Sequence, residues 1–178
     1  LVVFPTLITI AFYLTYRRCT GKPYIAAIAI LLAVAASSPL LGVRPQMITF
    51  LLASIFITLL TQYSVDAQKR RLYWLVPLTL LWVNFHAGYA LGLGLIVLYL
   101  IALALDRKWN QIPRLGLMLL ACLAVVPLNP NGFRMFSYPL ETLRSPSMAA
   151  FIQEWASPDF HQAMFLPFAL FLLLLLAT

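Results

Sequence analysis

Long apolar runs separated by short polar loops are the feature that most constrains the fold of this chain. The runs contain about 14 to 20 residues, and an α-helix needs roughly 20 to cross about 30 Å of hydrocarbon. Hydrophobic residues make up 63% of the chain and charged residues 10%, against about 45–50% and about 25% in soluble domains. The pattern disfavours a water-soluble fold and predicts that most side chains face lipid or neighbouring helices.

We predict an all-α fold, a polytopic transmembrane helical bundle of about seven membrane segments. Residues 1–178 would form a single transmembrane domain, and we expect its first and last segments to be truncated. The first run has neither a basic n-region nor a small-residue cleavage site, so it predicts a membrane helix and not a signal peptide. The predicted segments are Leu1–Tyr16, Tyr24–Leu41, Met47–Ser64, Leu72–Val83, Ala87–Leu105, Leu115–Leu128 and a run from Phe165.

The stretch Leu72–Leu105 is too long for one crossing. At about 1.5 Å per residue, a continuous helix over these residues would extend about 50 Å, well beyond the hydrocarbon thickness. The segment Asn84–Gly88 (NFHAG) is the polar, glycine-bearing place where the chain can reverse. We therefore expect a helical hairpin with its turn there, and the basic loops at both ends independently require an even number of crossings.

The distribution of Lys and Arg predicts the orientation. Nine of the twelve basic residues fall on one side of this threading, and cytoplasmic loops are enriched in Lys and Arg. We expect the basic loops to be cytoplasmic and the opposite face of the bundle to be extracytoplasmic. The net charge of +7 does not indicate nucleic acid, because the basic residues form no continuous stripe. The nine basic residues predicted on the cytoplasmic side are Arg17, Arg18, Lys22, Lys69, Arg70, Arg71, Arg107, Lys108 and Arg114.

Residues 129–162 are predicted to form an extracytoplasmic loop that carries a short interfacial helix. Ser145 is a suitable N-cap and Pro146 suits the first helical position. Apolar residues then recur at helical spacing, which predicts a helix over Pro146–Trp155 lying in the membrane interface. Both a covering role and a substrate-binding role remain open for this helix. The apolar residues are Met148, Phe151, Ile152 and Trp155.

Polar residues from four distant segments fall on the face opposite the basic loops. Polar groups exposed to lipid at depth are costly, so such a convergence predicts a polar cavity at the mouth of the bundle. The two cysteines are about a hundred residues apart and show no ligand spacing, so no metal site is predicted. The polar residues predicted on the face opposite the basic loops are Arg44, Gln46, Asn84, His86, Asn129, Asn131, Glu154, Asp159 and His161.

His86 and Arg44 are the sharpest candidates. A buried imidazole can donate hydrogen bonds to phosphate or transfer protons near neutral pH; alternatively, a neighbouring carbonyl satisfies it at the helix reversal. The Arg44 guanidinium is suited to bidentate phosphate recognition; alternatively, it is a snorkelling interfacial arginine. Gln46 lies two residues further along the chain, at the start of the next apolar run.

The remaining candidates also have structural interpretations. The segment Asn129–Gly132 (NPNG) has strong turn chemistry, and by itself it indicates only a turn. Glu154 can act as a base or orient a sugar hydroxyl, yet Glu154 and Trp155 together are also typical of an interfacial anchor. His161 fits a solvated loop residue. Walker, zinc-protease and nucleophile-elbow motifs are missing from the sequence.

The motifs RPQ at Arg44–Gln46, WVNFHAG at Trp82–Gly88, NPNG at Asn129–Gly132 and EW at Glu154–Trp155 carry a resemblance. In this combination the chain resembles bacterial multi-pass proteins that are similar to integral-membrane glycosyltransferases of the GT-C superfamily, relatives of the protein mannosyltransferases. The resemblance covers roughly residues 44–161.

The resemblance implies transfer of a sugar from a polyprenyl-phosphate carrier to an acceptor at the extracytoplasmic face of the bacterial inner (cytoplasmic) membrane. No cofactor is predicted, and the lipid-linked sugar donor is a substrate. It also implies a catalytic acid upstream of these residues, so Glu154 is at most a secondary catalytic candidate. Arg44 and His86 would bind the carrier phosphate with support from Asn84 and Gln46. The candidate substrate-binding residues are Arg44, Gln46, Asn84, His86, Asn129, Asn131, Trp155 and His161.

Three other functions remain open from the sequence. A transporter or flippase would pass a lipid-linked or anionic substrate through the polar cavity, although transporters more often place ionisable groups near the midplane of interrupted helices. An O-antigen ligase or polymerase-like enzyme also works at the extracytoplasmic face with Arg and His. A non-catalytic assembly subunit is the last alternative.

Overall fold

The computed structural model describes residues 3–37, 46–66, 69–146 and 157–176. Within these ranges the secondary structure is helical and includes no strand, which confirms the all-α prediction. The α-helices are α1 Val3–Thr20, α2 Pro23–Ser37, α3 Gln46–Asp66, α4 Lys69–Leu72, α5 Leu75–Phe85, α6 Tyr89–Leu105, α7 Ile112–Val125, α8 Tyr138–Leu143 and α9 Leu166–Leu176; three 3₁₀ turns cover Val126–Leu128, Gly132–Phe136 and Ala163–Phe165.

The first two helices are joined by a tight turn at Gly21. The backbone N–H of Gly21 donates to the carbonyl of Arg17 at 2.9 Å, and its φ of 65° lies in the left-handed region. Glycine is the usual residue at such a helix C-terminus, and Pro23 then begins α2, where its missing N–H costs nothing. Helix α1 packs against α2 and α3, and α9 packs against α2.

Helices α3, α5, α6 and α7 enclose the main apolar core. Helix α3 packs against both α5 and α6, while α7 packs against α5 and α6 from the other side. The core is closed by large side chains with no solvent exposure. These are Phe56, Leu60, Leu72, Leu75, Trp82, Ile96, Leu115 and Val126.

The hydrogen bonds between helices fix the chain directions within this bundle. Thr49 near the start of α3 contacts His86 after the end of α5, whereas Thr61 near the end of α3 contacts Tyr99 in the second half of α6 at 2.5 Å. Helix α6 therefore runs parallel to α3, and α5 runs antiparallel to both. The predicted reversal at Asn84–Gly88 is confirmed, since α5 ends at Phe85 and α6 begins at Tyr89.

Basic side chains from other segments form hydrogen bonds with residues near the opposite end of α3. Arg71 Nη1 donates to Gln62 Oε1 at 2.8 Å, and Lys108 Nζ donates to the carbonyl of Ser64 at 3.0 Å. Helix α3 has 21 residues, which corresponds to a length of about 30 Å. From Thr49, which contacts His86, to Gln62 and Ser64 the helix rises about 20 Å, so Arg71 and Lys108 lie towards the other end of α3 from the His86 turn.

Among the described helices, only α3 has both the length and the apolar composition to cross a bilayer. The apolar stretches Tyr89–Leu105, Ile112–Leu128 and Ala163–Leu173 are shorter. Helix α7 begins at Ile112, ahead of the predicted Leu115, and has a proline in its first turn, a position where proline is compatible with a helix.

The predicted loop 129–162 is more structured than the sequence indicated. It contains the 3₁₀ turn Gly132–Phe136 and helix α8, neither of which was predicted. Both are too short for helical periodicity to emerge above the turn residues that surround them. The predicted helix Pro146–Trp155 lies outside the described residues except for Pro146.

Candidate functional site: the polar turn between two helices

His86 lies at the centre of the turn that joins α5 to α6. Its backbone is extended, with φ −157° and ψ 141°, and this residue ends the helix. Its Nδ1 atom is 3.1 Å from the backbone nitrogen of Gly88 and 2.8 Å from Oγ1 of Thr49. The imidazole is half-buried, and this burial lowers the pKa of His86. A neutral ring is therefore favoured in the turn.

Thr49 and Trp82 extend this contact into the core. The indole Nε1 of Trp82 donates to Thr49 Oγ1 at 3.1 Å, and the Trp82 ring meets Phe56 edge-on with centroids 5.3 Å apart. Trp82 has 0% exposure, so its N–H needs an internal partner. Sequence reasoning did not single out Thr49, whose only signal was a hydroxyl within an apolar run.

Gly88 allows the helices to approach each other at this turn. A Cβ atom added at Gly88 would be 2.2 Å from Thr49 Oγ1 and 2.9 Å from His86 Nδ1. The backbone of Gly88 has φ −62°, which any residue adopts. Glycine is thus required here by space alone.

Asn129 ties the segment after α7 to the end of α5. Its Nδ2 donates to the carbonyl of Val83 at 2.9 Å and lies 3.3 Å from Asn84 Oδ1. Its Oδ1 accepts from the backbone N–H of Asn131 at 2.9 Å. The predicted NPNG turn is therefore present, and the structure brings Asn84, Asn129 and Asn131 together beside the His86 turn.

A second link from this segment reaches the start of α6. The Tyr89 hydroxyl donates to the carbonyl of Met135, and Asn131 Nδ2 lies 3.8 Å from Met135 Sδ. Both Tyr89 and Met135 are buried. Sequence reasoning missed this pair, because a tyrosine and a methionine 46 residues apart share no local pattern.

We expect Asn129→Ala to lower the free energy of unfolding by about 1–3 kcal/mol, since it leaves the Val83 carbonyl and the Asn131 N–H without their partner. Asn131→Ala removes only the weak amide–sulfur contact and should cost less than about 0.5 kcal/mol. Reversible unfolding in mixed micelles, followed by circular dichroism, measures both. Equal losses in the two variants would show that Asn129 does not stabilise the contact between the segment after α7 and the end of α5.

The other predicted site residues are placed as follows. Gln46 is the first residue of α3, one helical turn before Thr49, so it lies at the same end of the bundle. His161 is not joined to the turn: its side chain is 99% exposed and its Nδ1 lies 3.0 Å from Asp159 Oδ1 in the same loop. Arg44, Glu154 and Trp155 lie outside the described residues.

Two carboxylates of the same predicted loop have local partners. Hydrogen bonds from Ser137 and Arg134 lower the pKa of Glu141, and the Arg134–Glu141 ion pair measures 3.2 Å. The backbone N–H and the side chain of His161 lower the pKa of Asp159. Both carboxylates are exposed and remain ionised at neutral pH, so neither is poised as a general acid.

The chemistry available at the turn is that of neutral hydrogen-bonding groups. Imidazole and amide side chains can bind an oxyanion without adding a buried charge. No cluster of three or more potential metal ligands occurs in the part of the chain that the structure describes. Comparison with known proteins yields no matching family model, no similar curated protein and no similar solved structure.

Proposed function

We propose that the chain belongs to a polytopic membrane bundle of about seven segments in the bacterial inner membrane, with its basic loops cytoplasmic. Helix α6 supports this proposal because it contains no charged residue and its solvent-exposed face is as apolar as its buried face. A helix that is hydrophobic all round is typical of a membrane span or a deep core. The exposed apolar residues of α6 are Leu91, Val97, Leu98, Ile101 and Leu105.

The function that the site supports best is sugar transfer from a polyprenyl-phosphate carrier to an acceptor at the extracytoplasmic face, as in a GT-C glycosyltransferase. The single observation that carries it is the His86 turn. Its half-buried imidazole follows Asn84 by two residues, and Asn84 contacts Asn129, at the end of the bundle away from Arg71 and Lys108. A lipid phosphate that enters from the outer leaflet would meet the imidazole and the one amide N–H of Asn84 that is not donated to Leu80.

Departure of the lipid phosphate from the sugar concentrates negative charge on the phosphate oxygens. Fixed hydrogen-bond donors in a low-dielectric site stabilise such charge with little reorganisation. In the proposed enzyme His86 and Arg44 bind this phosphate, supported by Gln46 and Asn84. Glu154 and Trp155 contribute to the sugar or acceptor site, and the catalytic acid lies elsewhere in the protein.

His86→Asn tests this function in the full-length protein. Asparagine keeps an oxygen near the position of Nδ1, where Thr49 and Gly88 make their contacts, and removes the Nε2 edge. Loss of one oxyanion donor costs about 10²–10³ in rate, so we expect transfer from a polyprenyl-phosphate-linked sugar in proteoliposomes to fall by about two orders of magnitude.

His161→Asn is the matched control, because its side chain is solvated and its transfer rate should be unchanged. Wild-type rates in a folded His86→Asn variant would remove the turn from the mechanism. Movement of intact lipid-linked sugar across the bilayer without transfer would instead support the transporter hypothesis.

A further inference from the structure

We infer that Thr49 and Trp82 are positioning residues that hold His86 as a neutral imidazole with its proton on Nε2, so that His86 donates a hydrogen bond to an anionic ligand oxygen and does not act as a base. The identity of that oxygen as a lipid phosphate rests on the proposed function. The state of the ring rests on hydrogen-bond geometry alone.

The first constraint comes from the main chain. A backbone N–H can only donate, and the Gly88 N–H is directed at His86 Nδ1, with the two nitrogens 3.1 Å apart. Nδ1 must therefore present its lone pair and cannot carry a proton. In a neutral imidazole the proton then resides on Nε2.

The second constraint comes from the side chains and agrees with the first. An indole N–H is also a donor only, so Thr49 Oγ1 accepts from Trp82 Nε1 at 3.1 Å. The Thr49 hydroxyl proton is then free to point at His86 Nδ1, 2.8 Å away. The bonds run in one direction, from Trp82 through Thr49 to His86, and the single lone pair of Nδ1 is shared between the Thr49 hydroxyl and the Gly88 N–H.

Protonation of His86 would disrupt this arrangement. An imidazolium carries a proton on Nδ1, which would face the Gly88 N–H and would force the Thr49 hydroxyl to turn away. Burial of the ring also disfavours the imidazolium, because it lowers the pKa of His86. The ring is thus kept neutral by two donors on one edge.

The opposite edge is where a ligand can bind. Both hydrogen bonds of the His86 ring are made by Nδ1, and Nε2 has no hydrogen-bond partner among the described residues. A protonated Nε2 can donate but cannot accept a proton. The ligand atom at this edge must accordingly be a hydrogen-bond acceptor, and an anionic oxygen forms the stronger, charge-assisted bond.

Histidine ¹⁵N spectroscopy of the full-length protein in nanodiscs at pH 7 reads the ring directly, with the His86→Asn difference spectrum as the assignment. We expect a pyridine-type Nδ1 and a protonated, pyrrole-type Nε2. Thr49→Val removes the contact that holds the ring against the Gly88 N–H, so the ring can turn away and populate both tautomers, whereas Thr49→Ser should restore the wild-type pattern. A protonated Nδ1 in the wild-type protein, or a wild-type pattern in Thr49→Val, would overturn the inference.

Titration with a polyprenyl phosphate, and with the polyprenol that lacks the phosphate, separates the two proposals. The phosphate alone should shift the Nε2 resonance, and Thr49→Val should weaken its binding about tenfold, a loss typical of one misaligned charge-assisted hydrogen bond. If the tautomer is as inferred but neither lipid moves Nε2, the positioning role stands and the glycosyltransferase proposal fails.

Discussion

Trp82→Ala is expected to lower the free energy of unfolding by about 3 kcal/mol, near the lower end of the range for tryptophan truncation in a protein core. Trp82 has 0% exposure, meets Phe56 edge-on and donates its N–H to Thr49. In the proposed membrane bundle, unfolded helices stay in the micelle, so the loss of packing, and not renewed contact with water, accounts for most of the cost. Removal of the indole would also leave Thr49 Oγ1 without the hydrogen bond that Trp82 donates.

Trp109→Ala is the matched control for this prediction. Trp109 is 64% exposed, and surface substitutions usually change stability by less than about 0.5 kcal/mol. Reversible unfolding from dodecylmaltoside into sodium dodecyl sulfate, followed by far-ultraviolet circular dichroism, measures both variants. If the two variants lost equal stability, the packing of Trp82 in the core would not be the source of the expected loss.

Gly88→Ala is expected to cost about 1–3 kcal/mol, as overpacking generally does. The added methyl group would approach Thr49 Oγ1 to 2.2 Å, so Thr49 must rotate or the turn must open. Either movement breaks the contact between Thr49 and His86. The same variant should therefore weaken binding of the polyprenyl phosphate as well as the fold.

Gly94→Ala separates sterics from the general effect of replacing glycine. A Cβ at Gly94 would have no atom within 4 Å, and alanine is favoured over glycine in a helix by about 1 kcal/mol. We expect Gly94→Ala to be neutral or stabilising in the unfolding assay. A loss comparable to that of Gly88→Ala would show that the close approach at Gly88 is not the cause.

The candidate site was only partly predictable. Asn84, His86 and Asn129 were found because polar residues that interrupt apolar runs stand out in the sequence, and the structure brings these three to one end of the bundle. His161 was grouped with them by its predicted side of the membrane, but its contacts stay within its own loop. The predicted side of the membrane tells at which end of the bundle a residue lies. It does not tell which residues at that end are close to one another.

The sequence by itself determined that the chain is helical and that it reverses at Asn84–Gly88, because run length and a polar, glycine-bearing break are local properties. Only the tertiary structure decided that Thr49 and Trp82 complete the turn. Thr49 and His86 are 37 residues apart, and which face of α3 meets α5 depends on the packing of side chains from several helices at once. No local pattern in α3 encodes that choice, because its apolar residues are distributed all round the helix axis.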